Sequence, residues 1–169
     1  KVGASHLLCY EISDRDGIEK AEQGLEETKE YLLNHQGLVG LHASFTVSDD
    51  TLKKAVELVK QSDSGIHIHA AEAESDQDHC VANHGMRVIE RLLKFGALES
   101  GKTILGHCLH LSEKEKKIIS NSPAWVVQNT ESNLNNKVGF FNADGLGEKS
   151  MMGTDGMHSD VLRSAKAAF

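Results

Sequence analysis

The sequence has no run of about 18 apolar residues and no signal-peptide pattern, so the expectation is a soluble, cytoplasmic protein without a membrane partner. It has only three cysteines, Cys9, Cys80 and Cys108, and no Cys-x-x-Cys pair. An odd count without pairs excludes a disulfide framework and a zinc finger, and the thiols read as reduced. There is no block of basic residues either. The net charge is −7 and the lysines lie scattered among glutamates on helix faces, so no nucleic-acid partner is expected. Acidic tails and low-complexity tracts are absent, and no Gly-x-Gly-x-x-Gly or Walker loop follows the first strand-like run, which argues against a phosphate-binding sheet.

What is present is 169 residues beginning with Lys1, one domain's worth of chain. That falls short of the roughly 250 residues a full (β/α)8 barrel takes. A strand-like run starts within two residues of Lys1. The expectation is a fragment, a single incomplete domain over 1–169.

The most distinctive stretch is residues 65–72, Gly-Ile-His-Ile-His-Ala-Ala-Glu. Side chains alternate along a strand, so His67 and His69 share a face about 7 Å apart, with Glu72 just past the strand end. That face is either part of a metal site or an unusually polar core.

Around it the pattern repeats. A strand over 2–11 is followed by an amphipathic helix over about 17–35, with Ile18, Ala21, Leu25, Thr28 and Leu32 on one face. A second strand at 38–45 leads to a helix capped by Ser48. After the histidine strand, a polar loop through Gln77 and His79 precedes a helix built on Val88, Ile89, Leu92 and Leu93. A strand at 103–108 is followed by the capping box Ser112 to Glu115 and its helix. A strand at 124–129, an irregular Gly- and Asn-rich stretch over 132–147, and a last strand at 150–156 complete the chain. Strands alternating with helices indicate an α/β fold with a parallel sheet.

In such folds functional groups gather at the carboxyl ends of the strands. Each expected strand here has polar residues at that end: Glu11 with Asp14 and Arg15, His42 with Ser44, His69 with Glu72, His107 with His110, Asn129 with Ser132 and Asn133, and Asp155 with His158. Singly, each has a bland alternative. His107 reads equally as a packed core histidine, Asp155 as a turn residue or helix cap, His67 as a strut, and Ser132 and Asn133 as loop residues.

Taken in order, His-x-x-Glu, Gly-His-Cys, Ser-Asn and Gly-Thr-Asp-Gly resemble the amidohydrolase superfamily, in its cytosine deaminase and chlorohydrolase-like branch. The likeness to SsnA-type aminohydrolases runs through residues 8–15, 41–48 and 130–135. It implies a partial TIM barrel, strands three to eight of a (β/α)8 metal-dependent hydrolase fold, with strands one and two, the last barrel helix and a small β-domain absent. It implies His69 and Asp155 as ligands of a zinc or iron ion, and Glu72, His107 and Asp155 as catalytic groups. Glu72 is then the proton shuttle, His107 orients the water and polarises the substrate, and Asp155 accepts the water's proton. His42, Glu72, Ser132 and Asn133 face the substrate, with Glu11 and Arg15 beside them, and His67 is a bystander.

The implied function is hydrolysis of a C–N bond in a cyclic amidine or nucleobase-like small molecule by metal-activated water. Two alternatives stay open: a chlorohydrolase of a triazine-like substrate, and a non-catalytic metal- or partner-binding domain. Convergence of His69, His107 and Asp155 separates hydrolase from buffer. With so few ligands, this stretch alone is expected to hold little or no metal and to be inactive. The open edges near Leu8 and Met152 are expected to pair with missing segments or in a homo-oligomer.

Overall fold

The computed structural model describes Gly3 and residues 5–169. Six strands form one sheet in sequence order: β1 (Leu8–Cys9), β2 (Gly37–Ala43), β3 (Ile66–Ala70), β4 (Ile104–His107), β5 (Trp125–Gln128) and β6 (Ser150–Met152). All five pairings are parallel. Between them lie α1 (Ile18–Leu32), α2 (Asp49–Ser62), α3 (Glu74–His84), α4 (Val88–Lys94), α5 (Glu113–Asn121) and α6 (Thr130–Asn136), and α7 (Val161–Ala168) follows β6.

Parallel strands need a crossover each, and the crossover helices cover one face of the sheet. Ile66, Ile68 and Ala70 of β3 join Leu105 and Val126 in that helix-side core, together with Leu52 and Ala55 of α2 and Ile89 and Leu92 of α4. The other residues of β3, His67 and His69, take the opposite face and are half-buried. The alternation of the histidine strand is therefore what separates core from site.

Both caps read from the sequence are present. Ser48 Oγ accepts from the Thr51 amide at 3.2 Å. Ser112 Oγ accepts from the Glu115 amide at 3.3 Å, and Glu115 Oε2 accepts from the Ser112 amide at 2.9 Å.

Four expectations are corrected. The polar stretch through Gln77 and His79 is helix α3, not a loop. It escapes apolar periodicity because two of its three buried residues are Asp76 and Gln77. The stretch expected to be irregular from 132 begins inside helix α6, which buries Ser132 and Asn133. Where no helix was expected after the last strand, α7 stands. The first strand shrinks to Leu8–Cys9, extended by a single bridge from Ile12 to Leu41; Val2 and Ala4 lie outside the described residues.

Gly106 is needed on sheet grounds. It pairs with His69 across β3 and β4, and a Cβ there would sit 3.0 Å from His69 Cδ2. Among the described residues β1 and β6 each pair on one side only. An apolar groove of about 200 Å³, lined by Leu8, Tyr10, Tyr31 and Leu38, runs along the β1 edge.

Candidate active site

Strand β3 delivers His69 to the inner face, and β4 delivers His107 beside it, with ring centroids 5.3 Å apart. His107 does not arrive there by strand alternation. Its register partner is Ala70, a core residue, so an extended backbone would send it toward the helices. Instead His107 has φ 68° and Cys108 φ 54°, and this left-handed turn swings the imidazole onto the His69 side. Ala71 and Asp155 share the feature, at φ 51° and 53°. Four non-glycine residues in sparsely populated backbone regions, each costing on the order of 1–3 kcal/mol, thus sit at the carboxyl ends of β3, β4 and β6.

Asp155 reaches the same point from the turn after β6. One ligand-capable atom from each of His69, His107 and Asp155 lies within 4.8 Å of the others. His107 Nε2 is 3.7 Å from Asp155 Oδ2 and 3.8 Å from Glu72 Oε2. Two imidazole nitrogens and a carboxylate oxygen form a donor set that suits zinc or ferrous iron. Donors bound to one such ion at about 2.1 Å stand roughly 3–4 Å apart, so the spacing fits the ion after small side-chain adjustments.

The first turn of α6 orients this set. Asn133, 1% exposed, places Oδ1 2.8 Å from His107 Nδ1. With Oδ1 as acceptor, Nδ1 carries the proton and Nε2 presents its lone pair toward the two carboxylates. The Asn133 Nδ2 is buried without a hydrogen-bond partner among the described residues. Ser132 Oγ donates to Asp155 Oδ2 at 2.6 Å, and the Gly156 amide donates to Oδ1 at 2.8 Å. Burial pushes the Asp155 carboxyl up, but these two donors and the nearby imidazoles outweigh it and hold the group below the usual aspartate range. One turn further along α6, Asn136 Nδ2 donates to Glu72 Oε1 at 3.3 Å.

His42 stands beside this group, its ring 5.7 Å from that of His69 and its Nδ1 2.8 Å from Thr46 Oγ1. Burial, then the Arg15 charge, lowers its pKa and favours the neutral ring. The turn that follows, Ser44–Thr46, is held from beneath by fully buried Arg91, which donates to the Ser44 and Val47 carbonyls at 2.6 and 2.7 Å and to Asp49 Oδ1 at 2.8 Å. His67 points down the same face, and its Nδ1 is 3.6 Å from Cys9 Sγ. Burial and then His69 lower its pKa, consistent with a neutral strut. Glu11 and Arg15 pair with each other at 3.2 Å and are half exposed.

Sequence reasoning singled out His69, Glu72, His107 and Asp155, and all four converge. Ser132 and Asn133 contact Asp155 and His107 directly. Asn136 and Arg91 were missed. Asn136 carries a usable signal, since it lies four residues after Ser132 and shares its helix face, but only once residues 130–136 are read as helical.

Residues 8–169 match the amidohydrolase family. The chain belongs to that family. It is 32% identical over 171 residues to a 5-methylthioadenosine/S-adenosylhomocysteine deaminase of Thermoanaerobacter pseudethanolicus, covering 95% of this chain and 39% of that protein. To a 5'-deoxyadenosine deaminase of Methanopyrus kandleri it is 30% identical over 182 residues, covering 99% of this chain and 42% of the relative. Among solved amidohydrolase structures, an adenosine deaminase from Xanthomonas campestris with bound zinc superposes with TM-score 0.82 at 25% identity, over 96% of this chain and 41% of that one. A guanine deaminase from C. acetobutylicum shares the fold, with TM-score 0.83 at 19% identity, over 90% and 40% of the two chains. The chain spans about two fifths of the length of these relatives.

No helix among the described residues of this amidohydrolase chain is long and apolar enough to cross a membrane.

Proposed function

We propose that the protein containing this chain is a metal-dependent aminohydrolase that releases ammonia from a cyclic amidine or nucleobase-like small molecule. The observation that carries this is the convergence of His69, His107 and Asp155 within 4.8 Å, with the Glu72 carboxylate at the same His107 nitrogen. A metal buffer needs no carboxylate held off the ligand set by its own helix donor, and Glu72 is held that way by Asn136. The relatives named as deaminases support the same reading.

In this proposal His69, Asp155 and the lone pair of His107 Nε2 hold a zinc or ferrous ion. When bound, such an ion lowers the pKa of a ligated water from about 15.7 toward 7. The chain's own groups move the protons. Asp155 Oδ2 takes one from the attacking water, whose oxygen bonds to the amidine carbon. Glu72 protonates the adjacent ring nitrogen, which keeps negative charge from building there, and recovers its proton from the newly added hydroxyl. The exocyclic C–N bond then breaks, and the water's two protons finish on the ring nitrogen and the departing ammonia. His107, its tautomer fixed by Asn133, stands beside the reacting carbon, and His42 and the Ser44–Thr46 turn form one wall of the substrate space.

We also infer that the six strands are the third to eighth of an eight-stranded barrel, and that a His-x-His strand outside this chain completes the ligand set. The likeness to relatives more than twice as long supports this.

The test is ammonia release by the full-length protein, loaded with zinc, from adenine nucleosides, guanine and aminotriazines. Glu72→Gln and Asp155→Asn should each lower turnover by about 10²–10⁴-fold. Undiminished turnover in either variant overturns the assignment of roles.

A further inference from the structure

Three consecutive residues of α6 hold three different parts of the site. Asn133 takes His107 and Ser132 takes Asp155. Glu131 turns the other way, toward the chain beyond Asp155. Its carboxylate accepts from the His158 Nε2, from Arg163 Nε at 2.8 Å and from Ser164 Oγ at 3.4 Å. The Glu131 side chain is 14% exposed and that of His158 22%, so the His158 contact is sheltered from solvent, while Arg163 reaches in from an exposed position.

The segment they hold has little else to fix it. Residues 153–160 are half-buried or exposed throughout, and both Asp155 and Ser159 have positive φ, at 53° and 56°. The backbone ties of the segment are the Gly153 amide on the Gln128 carbonyl at 2.9 Å and local turn bonds. Helix α7, which follows, buries only Ser164. A turn-containing, strained segment with no apolar anchor drifts unless side chains pin it. Glu131 supplies three such pins, and they sit one residue along the chain from the hydroxyl that grips Asp155.

We propose that Glu131 is a positioning residue for the cation site: with His158 and Arg163 it forms a latch that fastens the chain beyond Asp155 to α6, so that Asp155 is presented at a set distance from His69 and His107. The latch touches no ligand and acts through the backbone of residues 155–158 and through α6. It rests on the reading of Asp155 as a ligand.

The test uses the full-length protein and the variant Glu131→Gln, which keeps the shape but removes the charge that draws in Arg163. Zinc affinity, titrated against a competing chelator, should fall by about 10–100-fold, the range seen when partners outside the ligand shell are lost. Glu131→Asp should recover part of that loss. Amide exchange over 153–160 should rise by about tenfold or more while the β3 amides stay unchanged. A merely structural role would lower the melting temperature and leave the zinc affinity of the folded protein alone. A folded Glu131→Gln protein with wild-type affinity therefore overturns the latch. If that variant fails to fold, Arg163→Gln, at an exposed side chain, is judged by the same two results with a smaller loss expected. If the wild-type protein binds no zinc, the reading of Asp155 as a ligand falls and takes the positioning role with it; faster exchange over 153–160 in Glu131→Gln then shows a structural tie alone.

Discussion

His69 and His107 stand on neighbouring inner strands with core residues on either side of them, whereas Asp155 stands past the last strand on a segment that buries little. The histidine half is positioned by packing. Ile68, Ala70 and Leu105 fill the helix side, Gly106 leaves room for the His69 ring, and Asn133 locks His107. The aspartate half is positioned by side-chain hydrogen bonds from α6, through Ser132 and Glu131. Packed positions resist small perturbations as a unit, while a hydrogen-bonded arm gives way one contact at a time. The same short helix serves both halves, and it serves them with polar side chains.

This contrast can be broken at its rigid end first. Asn133→Leu removes the acceptor for a buried His107 Nδ1–H and should cost about 1–3 kcal/mol of stability, measured by urea unfolding. A smaller loss would mean that His107 is held by its strand alone. The second effect lies in the arm and appears on acidification. Burial pushes the Glu131 carboxyl up, but the His158 and Arg163 donors outweigh it and leave it below the usual glutamate range. A group whose pKa is depressed in the folded state adds stability that is present above its unfolded value and is lost as pH falls through the folded one. Amides over 156–164 should therefore lose exchange protection below about pH 4.5 before those of β3 and β4 do; simultaneous loss would erase the distinction. The smallest effect belongs to neither half. Glu11→Gln breaks a half-exposed pair with Arg15 and should change stability by less than about 0.5 kcal/mol in the same unfolding assay.

Much of the scaffold was legible because it follows from apolar patterning. The strands at β2 to β5 and the helices α2 and α4 bury apolar residues at the spacing each element demands, and Ser48 and Ser112 announce the helices α2 and α5 that they cap. Helices α3 and α6 were not legible for one shared reason. Their buried residues are Asp76, Gln77 and Cys80 in α3 and Ser132 and Asn133 in α6, so no apolar stripe marks them, whereas α7 carries apolar residues such as Val161 and Leu162 that it leaves exposed. In α6 the three asparagines are also poor helix formers, and its one leucine faces solvent. These helices exist to place polar groups, a purpose that hydrophobic periodicity does not record.

The histidine strand shows where the division falls. Alternation in the sequence was enough to set His67 and His69 on one face, and the order of motifs along the chain was enough to prefer His69 and to look for partners in Glu72, His107 and Asp155. Local chain geometry carries that information because a strand's period is fixed. Only the tertiary structure decided that His107 joins the ligand-capable set, since its side-chain direction comes from a left-handed turn that contradicts its strand register. Only the tertiary structure, likewise, brought Glu131 to His158 and Arg163 and Asn136 to Glu72, because partners 27 to 64 residues apart meet through folding and not through spacing.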